Sequence, residues 1–153
     1  MNSKNTSTKS IKQKKGLNRN TIDKYYTKKE VVDDCIELIK NHINILDEDL
    51  IIEPSAGNGA FIEGIKTLSN NYKFYDLMPE HEEIRKKDFL KYKFEKVKEK
   101  HGNIHIIGNP PFGRQASIAI KFIKKCCLFS KSISFILPKS FKKDSMKKYF
   151  DRH

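Results

Sequence analysis

The sequence contains no tryptophan, only three cysteines and no long apolar run, and these scarcities exclude several classes of protein. Cys35, Cys126 and Cys127 are too few and too irregularly spaced for a disulfide framework or a zinc site. No apolar run approaches the roughly 20 residues of a membrane helix, and the polar N-terminus lacks a signal peptide's hydrophobic core. The five histidines show no metal-ligand spacing. We therefore expect a soluble, intracellular protein, cytoplasmic or nuclear, with no metal site and no membrane contact.

Acidic residues are also scarce relative to basic ones, with 19 Asp plus Glu against 31 Lys plus Arg and a net charge of +12. This balance predicts a polyanionic partner, and nucleic acid, DNA or RNA, is the first candidate. The alternative is that the lysines only solvate the surface. Residues 1–20 carry six basic residues, no acidic ones and almost no apolar ones, so we predict a disordered basic tail there. Residues 21–153 are then one folded domain.

The chain is organised around the segment from Leu50 to Phe61. Leu50, Ile51 and Ile52 predict a buried strand that ends at Glu53, and a turn with two glycines follows. A helical apolar pattern begins at Phe61. Strand, glycine turn and helix in this order are typical of half a nucleotide-binding βαβ unit, although a glycine pair alone fits a ligand-free turn equally well.

The rest of the chain continues the same alternation of strands and helices. We predict further strands at 72–76, 103–108 and 133–137, and helices at about 28–43, 118–128 and 140–150, with an exposed helix within 91–100. Thr27 is the predicted N-cap of the helix at 28–43, with Glu30 completing a capping box. The predicted fold is α/β, with a mainly parallel sheet and helices on both faces.

Glu53, Asp76 and Asn109 lie at the ends of predicted strands or directly after them, where open α/β sheets place their sites. Asp76 lies 23 positions after Glu53, an interval typical of a carboxylate that accepts both ribose hydroxyls, although a turn-capping role is the alternative. Asn109 opens the run Asn109-Pro110-Pro111-Phe112, in which two prolines enforce a rigid, extended exit from a strand. His105, within that strand, is interpreted as structural.

The run Asn109-Pro110-Pro111-Phe112 is similar to the (D/N/S)-P-P-(Y/F/W) motif of class I S-adenosylmethionine-dependent methyltransferases, in the branch that methylates exocyclic amines. Together with the glycine turn and the acidic residues that follow the strands, the resemblance covers roughly 23–140. It implies a Rossmann-like, doubly wound fold, S-adenosyl-L-methionine as cofactor, and adenine N6 in DNA or RNA as the target.

The resemblance also implies roles for individual residues. Around the methionine end of the cofactor it places the following residues: Tyr26, Thr27, Glu53, Ser55, Ala56, Gly57, Gly59 and Asn109. Asp76 is expected at the ribose, and Asp88 and Phe89 at the adenine. At the target base, Asn109 and the Pro110 carbonyl would accept the amine hydrogens while Phe112 stacks on an extruded base. Alone, Tyr26 would be interpreted as core packing and Asp88 as a loop residue.

The sequence departs from the family after Pro138, because too few residues remain for the last two strands of the family's sheet. We therefore expect either a fragment or a partner chain that covers the open edge of the strand at 133–137. Two other functions stay open. One is a non-catalytic, methyltransferase-like subunit that binds nucleic acid or scaffolds a partner, and the other is a protein-glutamine N-methyltransferase.

Overall fold

A computed structural model describes residues 26–94, 97 and 100–149, and the predicted tail at 1–20 lies outside these residues. The described chain contains a five-stranded sheet in the order β3-β2-β1-β4-β5, and every pairing is parallel. The strands are β1 Leu50–Glu53, β2 Tyr72–Asp76, β3 Ile84–Lys86, β4 Ile104–Gly108 and β5 Ser132–Phe135. The predicted α/β, doubly wound fold is confirmed.

Four helices are described in full: one precedes β1, one lies between β1 and β2, one lies between β4 and β5, and one follows β5. They are α1 Lys29–His42, α2 Ile62–Lys66, α3 Ser117–Cys126 and α4 Asp144–Lys147, with 3₁₀ turns at Arg114–Ala116 and Lys139–Lys142. No helix in the described part of the chain is long and apolar enough to cross a membrane.

Strands β1 and β4 are buried along their whole length because both faces of the sheet are covered. Ile51 and Ile107 pack on one face with residues of α1 and α2. Leu50, Ile52 and Ile106 pack on the opposite face with residues of α3. This two-sided burial explains why both strands are continuous apolar runs rather than alternating ones.

The chain reverses its direction of winding between β1 and β4. From β1 the sheet grows through β2 to β3, and the chain then returns to the other side of β1 to add β4 and β5. Connections leaving β1 and β4 therefore diverge, which opens a crevice at the carboxyl ends of these two neighbouring strands. The glycine turn and the Asn-Pro-Pro-Phe run both begin there.

The amino ends of the central strands are joined by a buried polar network around Asp49. Its carboxylate accepts hydrogen bonds from the Leu46 amide at 3.0 Å and the Asn103 amide at 2.6 Å, and His105 Nε2 lies 3.1 Å away. The other ring nitrogen of His105 lies 2.7 Å from Ser132 Oγ. The network links segments at β1, β4 and β5, so the structural interpretation of His105 is confirmed.

Burial alone would raise the pKa of Asp49, but its surroundings reverse the effect. The amide hydrogen bonds from Leu46 and Asn103, with the contact to His105, stabilise the carboxylate and lower the pKa below its ordinary value. The ionised carboxyl is therefore part of the folded structure at this end of the sheet.

Some local predictions were wrong. The N-cap of α1 is Lys28, without a side-chain hydrogen bond, rather than Thr27, so the capping box does not form. The Thr27 hydroxyl instead accepts a hydrogen bond from Asn109. Strand β3 was not predicted, because Arg85 and Lys86 are exposed and interrupt any apolar pattern.

Two predicted helices also differ from the structure. In the segment 91–100, Phe94 and Val97 are buried, so its described part is not simply exposed; residues 95, 96, 98 and 99 lie outside the described residues. The helix predicted at 140–150 is divided into a 3₁₀ turn and the short α4. Strand β5 is the outer strand of the described sheet, with half-buried residues, and a partner at its open edge stays a prediction.

Candidate functional site

A cleft of about 490 Å³ lies at the carboxyl ends of β1, β2 and β4. Its size is within the range of sites for small molecules and cofactors. The predicted site residues that line it are Tyr26, Thr27, Glu53, Ser55, Ala56, Gly57, Asp76, Asp88, Phe89, Asn109, Pro110 and Phe112. The structure therefore brings residues from 26 to 112 into one cleft, with Gly59 as the exception.

The two glycines of the turn have different positions. Gly57 has a φ of +54°, and a Cβ there would meet nothing within 4 Å. Gly59 has a φ of +84°, but a Cβ there would lie 2.7 Å from Ile62 Cδ1 and 3.2 Å from His81 Cγ. Gly57 thus keeps the turn open at the cleft, whereas Gly59 allows close packing behind it.

Asp76 fixes the glycine turn against the end of β2. Its Oδ2 accepts a hydrogen bond from the Gly57 amide at 2.8 Å, and its Oδ1 accepts one from the Met78 amide at 2.7 Å. A carboxylate has about four lone-pair sites, so each oxygen can accept a further hydrogen bond from a ligand. Asp76 can therefore hold the turn in place and accept a hydrogen bond from a ligand hydroxyl group at the same time.

Glu53 is buried at the end of β1, with 2% of its surface exposed. Burial and the nearby charge of Asp76 raise its pKa from 4.5 to about 8, so the carboxyl is mostly protonated at neutral pH. Gly108, with a φ of +147°, makes room for this side chain, because a Cβ there would lie 3.1 Å from Glu53 Cγ. Glu53 Oε2 is buried and has no hydrogen-bond partner among the described residues.

Asn109 follows directly after β4, the strand that pairs with β1. Its side-chain Nδ2 donates a hydrogen bond to Thr27 Oγ1 at 3.3 Å, and its main-chain oxygen accepts one from Ser55 Oγ at 3.3 Å. Like Glu53 Oε2, its Oδ1 is buried without a partner in the described part of the chain. Because an unsatisfied buried acceptor is costly, this atom is a candidate acceptor for a ligand in the cleft.

The Pro-Pro-Phe segment connects Asn109 to α3. The Phe112 main-chain oxygen accepts hydrogen bonds from the amides of Ile118 at 3.1 Å and Ala119 at 3.3 Å, which fixes the segment to the first turn of the helix. Gly113 has a φ of +69°, and a Cβ there would lie 2.5 Å from Ile118 Cγ1. The half-buried Phe112 ring is therefore held at the cleft by a constrained turn.

Tyr26 lies at the rim of the cleft and is 55% exposed, so its interpretation as a core residue was wrong. Its hydroxyl donates a hydrogen bond to Glu80 Oε2 at 2.8 Å. The Glu80 amide in turn donates to the Gly57 main-chain oxygen at 3.0 Å. The segment before α1 thereby reaches over the glycine turn.

Asp88 and Phe89 differ in how much they offer to a ligand. Asp88 is half-buried, and its Oδ1 accepts a hydrogen bond from the Leu90 amide at 3.1 Å. Phe89 is only 2% exposed and stacks on Phe122 with ring centroids 5.3 Å apart. Asp88 is therefore the more accessible polar group, and Phe89 forms part of the cleft wall from within the core.

Sequence reasoning missed several cleft residues that stand beside or beyond the motifs, among them two apolar and two basic residues. Leu77 and Met78 are exposed apolar residues directly after Asp76. Lys87 and Lys121 add two basic groups, and the Lys87 ammonium lies 3.6 Å from the Tyr92 ring centroid. Leu77, Met78 and Lys87 could have been found from their adjacency to Asp76 and Asp88. Lys121 carried no such signal, because its position depends on the orientation of α3.

Among the described residues, no group of three or more His, Cys, Asp or Glu side chains is placed to hold a metal ion. The polar groups of the cleft include separate acceptors, Glu53, Asp76 and Asn109, at the ends of three strands, an arrangement that suits an organic ligand with several donors.

Residues 45–151 match the family model of the EDM2 methyltransferase-like domain. The matched range includes the glycine turn, the acidic residues after the strands and the Asn-Pro-Pro-Phe run, but not Tyr26 and Thr27. None of the curated proteins matches the chain.

Proposed function

Because the chain belongs to the EDM2 methyltransferase-like domain family, we propose that it binds S-adenosyl-L-methionine in the cleft and methylates an exocyclic amine of a nucleic-acid base. Adenine N6 in DNA or RNA is the preferred target. The observation that carries the proposal is the pair of buried oxygens, Glu53 Oε2 and Asn109 Oδ1, at the ends of neighbouring strands, neither of which has a hydrogen-bond partner among the described residues.

The residues present fit the cofactor. Its ammonium and sulfonium groups are cationic, its ribose carries two hydroxyls and its adenine carries an amine, and the cleft provides the matching acceptors. Glu53 would hold the methionine end together with the glycine turn, Asp76 the ribose and Asp88 the adenine. The open space beside Gly57 supports close approach of a ligand to the backbone there. When bound, the cofactor supplies a methyl group on a sulfonium centre.

Asn109 and Phe112 would act on the target base. An adenine amine is a weak nucleophile because its lone pair is delocalised into the ring. Asn109 Oδ1 would accept one of its hydrogens, with the Pro110 carbonyl accepting the other, and so orient the amine and stabilise the positive charge that develops. Thr27 contributes by binding Nδ2 of the same amide, which leaves Oδ1 directed to other donors. Phe112 would stack on the extruded base.

The test is single-turnover methyl transfer to adenine-containing DNA and RNA oligonucleotides, with the modified nucleoside identified after digestion. Asn109→Ala should lower the rate roughly 10²- to 10³-fold, the usual loss for a group that stabilises developing charge. Cofactor affinity by calorimetry should stay nearly unchanged, because Asn109 Oδ1 acts on the substrate. Asn44→Ala, at an exposed asparagine outside the cleft, is the matched control.

Phe112→Trp should retain more activity than Phe112→Leu, since only the former keeps an aromatic face. If the parent protein binds cofactor and oligonucleotide but transfers no methyl group, a non-catalytic subunit is the better description. If it methylates glutamine-containing peptides and not oligonucleotides, it is a protein-glutamine N-methyltransferase.

A further inference from the structure

The charge of the chain is unevenly divided about the Asn-Pro-Pro-Phe run. Residues 26–112 contain 13 basic and 16 acidic residues, whereas residues 113–153 contain 11 basic and two acidic residues. After residue 25, the excess of positive charge therefore comes from the chain that follows Phe112. This part of the chain includes α3, β5 and the turns after β5.

A line of basic groups leads away from the cleft along this part of the chain. Lys121 lines the cleft, and Lys124 lies one turn further along the same helix, α3. The ring of Tyr149 then lies beside two lysines, with its centroid 5.4 Å from Lys124 Nζ and 5.2 Å from Lys148 Nζ. We name Lys121, Lys124, Lys148 and Tyr149 the basic track.

The lysines of the basic track are available to a ligand. All three are exposed, and within the described part of the chain none of them forms an ion pair. Two neighbouring lysines are engaged instead: Lys125 donates to the main-chain oxygens of Leu90 and Tyr92, and Lys147 pairs with Asp144 at 2.7 Å. The ring of Tyr149 attracts two ammonium groups without neutralising their charge, as a carboxylate would.

We infer that the basic track binds the sugar-phosphate backbone of the strand that carries the target base, next to the base that enters the cleft. The inference rests on the proposed function, because it takes that base as the reason for the strand to reach the cleft. A nucleic-acid strand is favoured over an acidic peptide because the track begins at a cleft lined by Phe112, and a row of cations beside an aromatic ring is the arrangement that single-stranded nucleic acid requires. Tyr149 acts as a positioning residue for Lys124 and Lys148.

The test is fluorescence anisotropy of a short, labelled, adenine-containing single strand titrated with the full chain between about 50 and 200 mM salt. The variant carries Lys121→Gln, Lys124→Gln and Lys148→Gln. Its matched control carries Lys40→Gln, Lys100→Gln and Lys131→Gln, which remove the same charge at exposed positions that precede β1, β4 and β5 in the chain. Unfolding by urea is measured on each protein to confirm that it folds.

If three phosphate contacts are lost, the slope of log affinity against log salt should become shallower by about 2, at roughly 0.7 per contact with a single strand. Affinity at the lowest salt should fall on the order of tenfold or more, whereas the control should change much less. Tyr149→Leu should reduce affinity and Tyr149→Phe should preserve it, since both rings but not leucine attract the ammonium groups.

Equal losses in the variant and the control would overturn the inference, and so would displacement of the strand by polyglutamate at equal charge concentration. Calorimetry with the cofactor and methyl-transfer assays on the same proteins separate the two proposals. A parent that binds the strand through the track but transfers no methyl group contradicts the proposed function and supports the track. A parent that methylates adenine while the track variant binds as tightly contradicts only the track.

Discussion

Asp49 directly precedes β1 and Glu53 is its last residue. Both carboxyl groups are buried, but their surroundings shift their pKa values in opposite directions. Asp49 accepts hydrogen bonds from two amides and contacts His105, and its pKa is lowered. Glu53 has an oxygen without a partner in the described structure, and its pKa is raised to about 8. Both side chains are buried, so the difference comes from their neighbours: hydrogen bonds and His105 stabilise the Asp49 carboxylate, whereas the charge of Asp76 adds to the effect of burial on Glu53.

The two carboxyl groups distinguish the two ends of the sheet. We call the amino ends of the strands the structural end, and the carboxyl ends, where the cleft lies, the proposed binding end. At the amino ends of the strands, the polar groups around Asp49 are satisfied by the chain itself, which stabilises the fold. At the carboxyl ends, Glu53 and Asn109 each have a buried oxygen with no hydrogen-bond partner among the described residues, which costs stability. This difference locates the site more sharply than the cleft alone.

The largest expected effect is at the structural end. Asp49→Ala should lower the free energy of unfolding by about 3–5 kcal/mol, because it leaves the Leu46 and Asn103 amides and His105 without their buried acceptor. Urea unfolding monitored by circular dichroism measures the change. Asp47→Ala, at an exposed position two residues earlier, is the control and should change stability by less than about 0.5 kcal/mol. Similar small losses in both variants would mean that the network around Asp49 contributes little.

The second prediction concerns pH at the proposed binding end. The pKa of Glu53 is raised from 4.5 to about 8 on folding, so between these values the folded chain binds the extra proton. Stability from this group is complete below about pH 4.5 and is lost as pH rises toward 8, at about 1.4 kcal/mol per pH unit. Glu53→Gln should remove this slope, so the variant should gain stability relative to the parent as pH rises.

Urea unfolding of parent and Glu53→Gln at several pH values within this range measures the difference, and titrations common to both proteins cancel. Asp49 has the opposite sign, because its lowered pKa stabilises the fold at higher pH and that stability is lost on acidification. Parallel stability curves for parent and Glu53→Gln would show that Glu53 ionises normally in the fold, and the contrast between the two ends would fail.

The smallest effect is expected at Thr27. Thr27→Val removes the acceptor of Asn109 Nδ2 and should lower the free energy of unfolding, measured in urea, by about 0.5–1.5 kcal/mol. Thr27→Ser should retain most of the contact. Because Thr27 is not the N-cap of α1, the helical circular dichroism signal should be unchanged in both variants. If the valine variant instead loses helical signal and the serine variant gains it, Thr27 is a helix cap.

The sequence was informative where a local pattern and the fold agree. Glu53 and Asp76 could be placed at strand ends because apolar or aromatic runs stop there and turn residues follow. Asn109 could be placed at the site because prolines end β4 directly after it. These signals depend on neighbours in the chain, which is why they were visible without a structure.

Long-range contacts explain what could not be predicted. Thr27 fits a local capping box, but its hydroxyl binds Asn109, 82 residues away. The positions of Lys121 at the cleft and of Tyr149 beside Lys124 depend on how α3 lies in the fold. That the described structure offers no partner to Glu53 Oε2 or Asn109 Oδ1 could not be predicted either, because it depends on every group around them.

The strand order also has a consequence for synthesis of the protein. The central strand β1 pairs with β2 on one side, but its partner on the other side, β4, begins only at Ile104. At about 5–20 residues per second on a ribosome, the chain between Lys86 and Ile104 takes about one to four seconds to be made. During that time one edge of β1 in a nascent chain has no strand with which to pair, so its main-chain donors and acceptors on that side are left open.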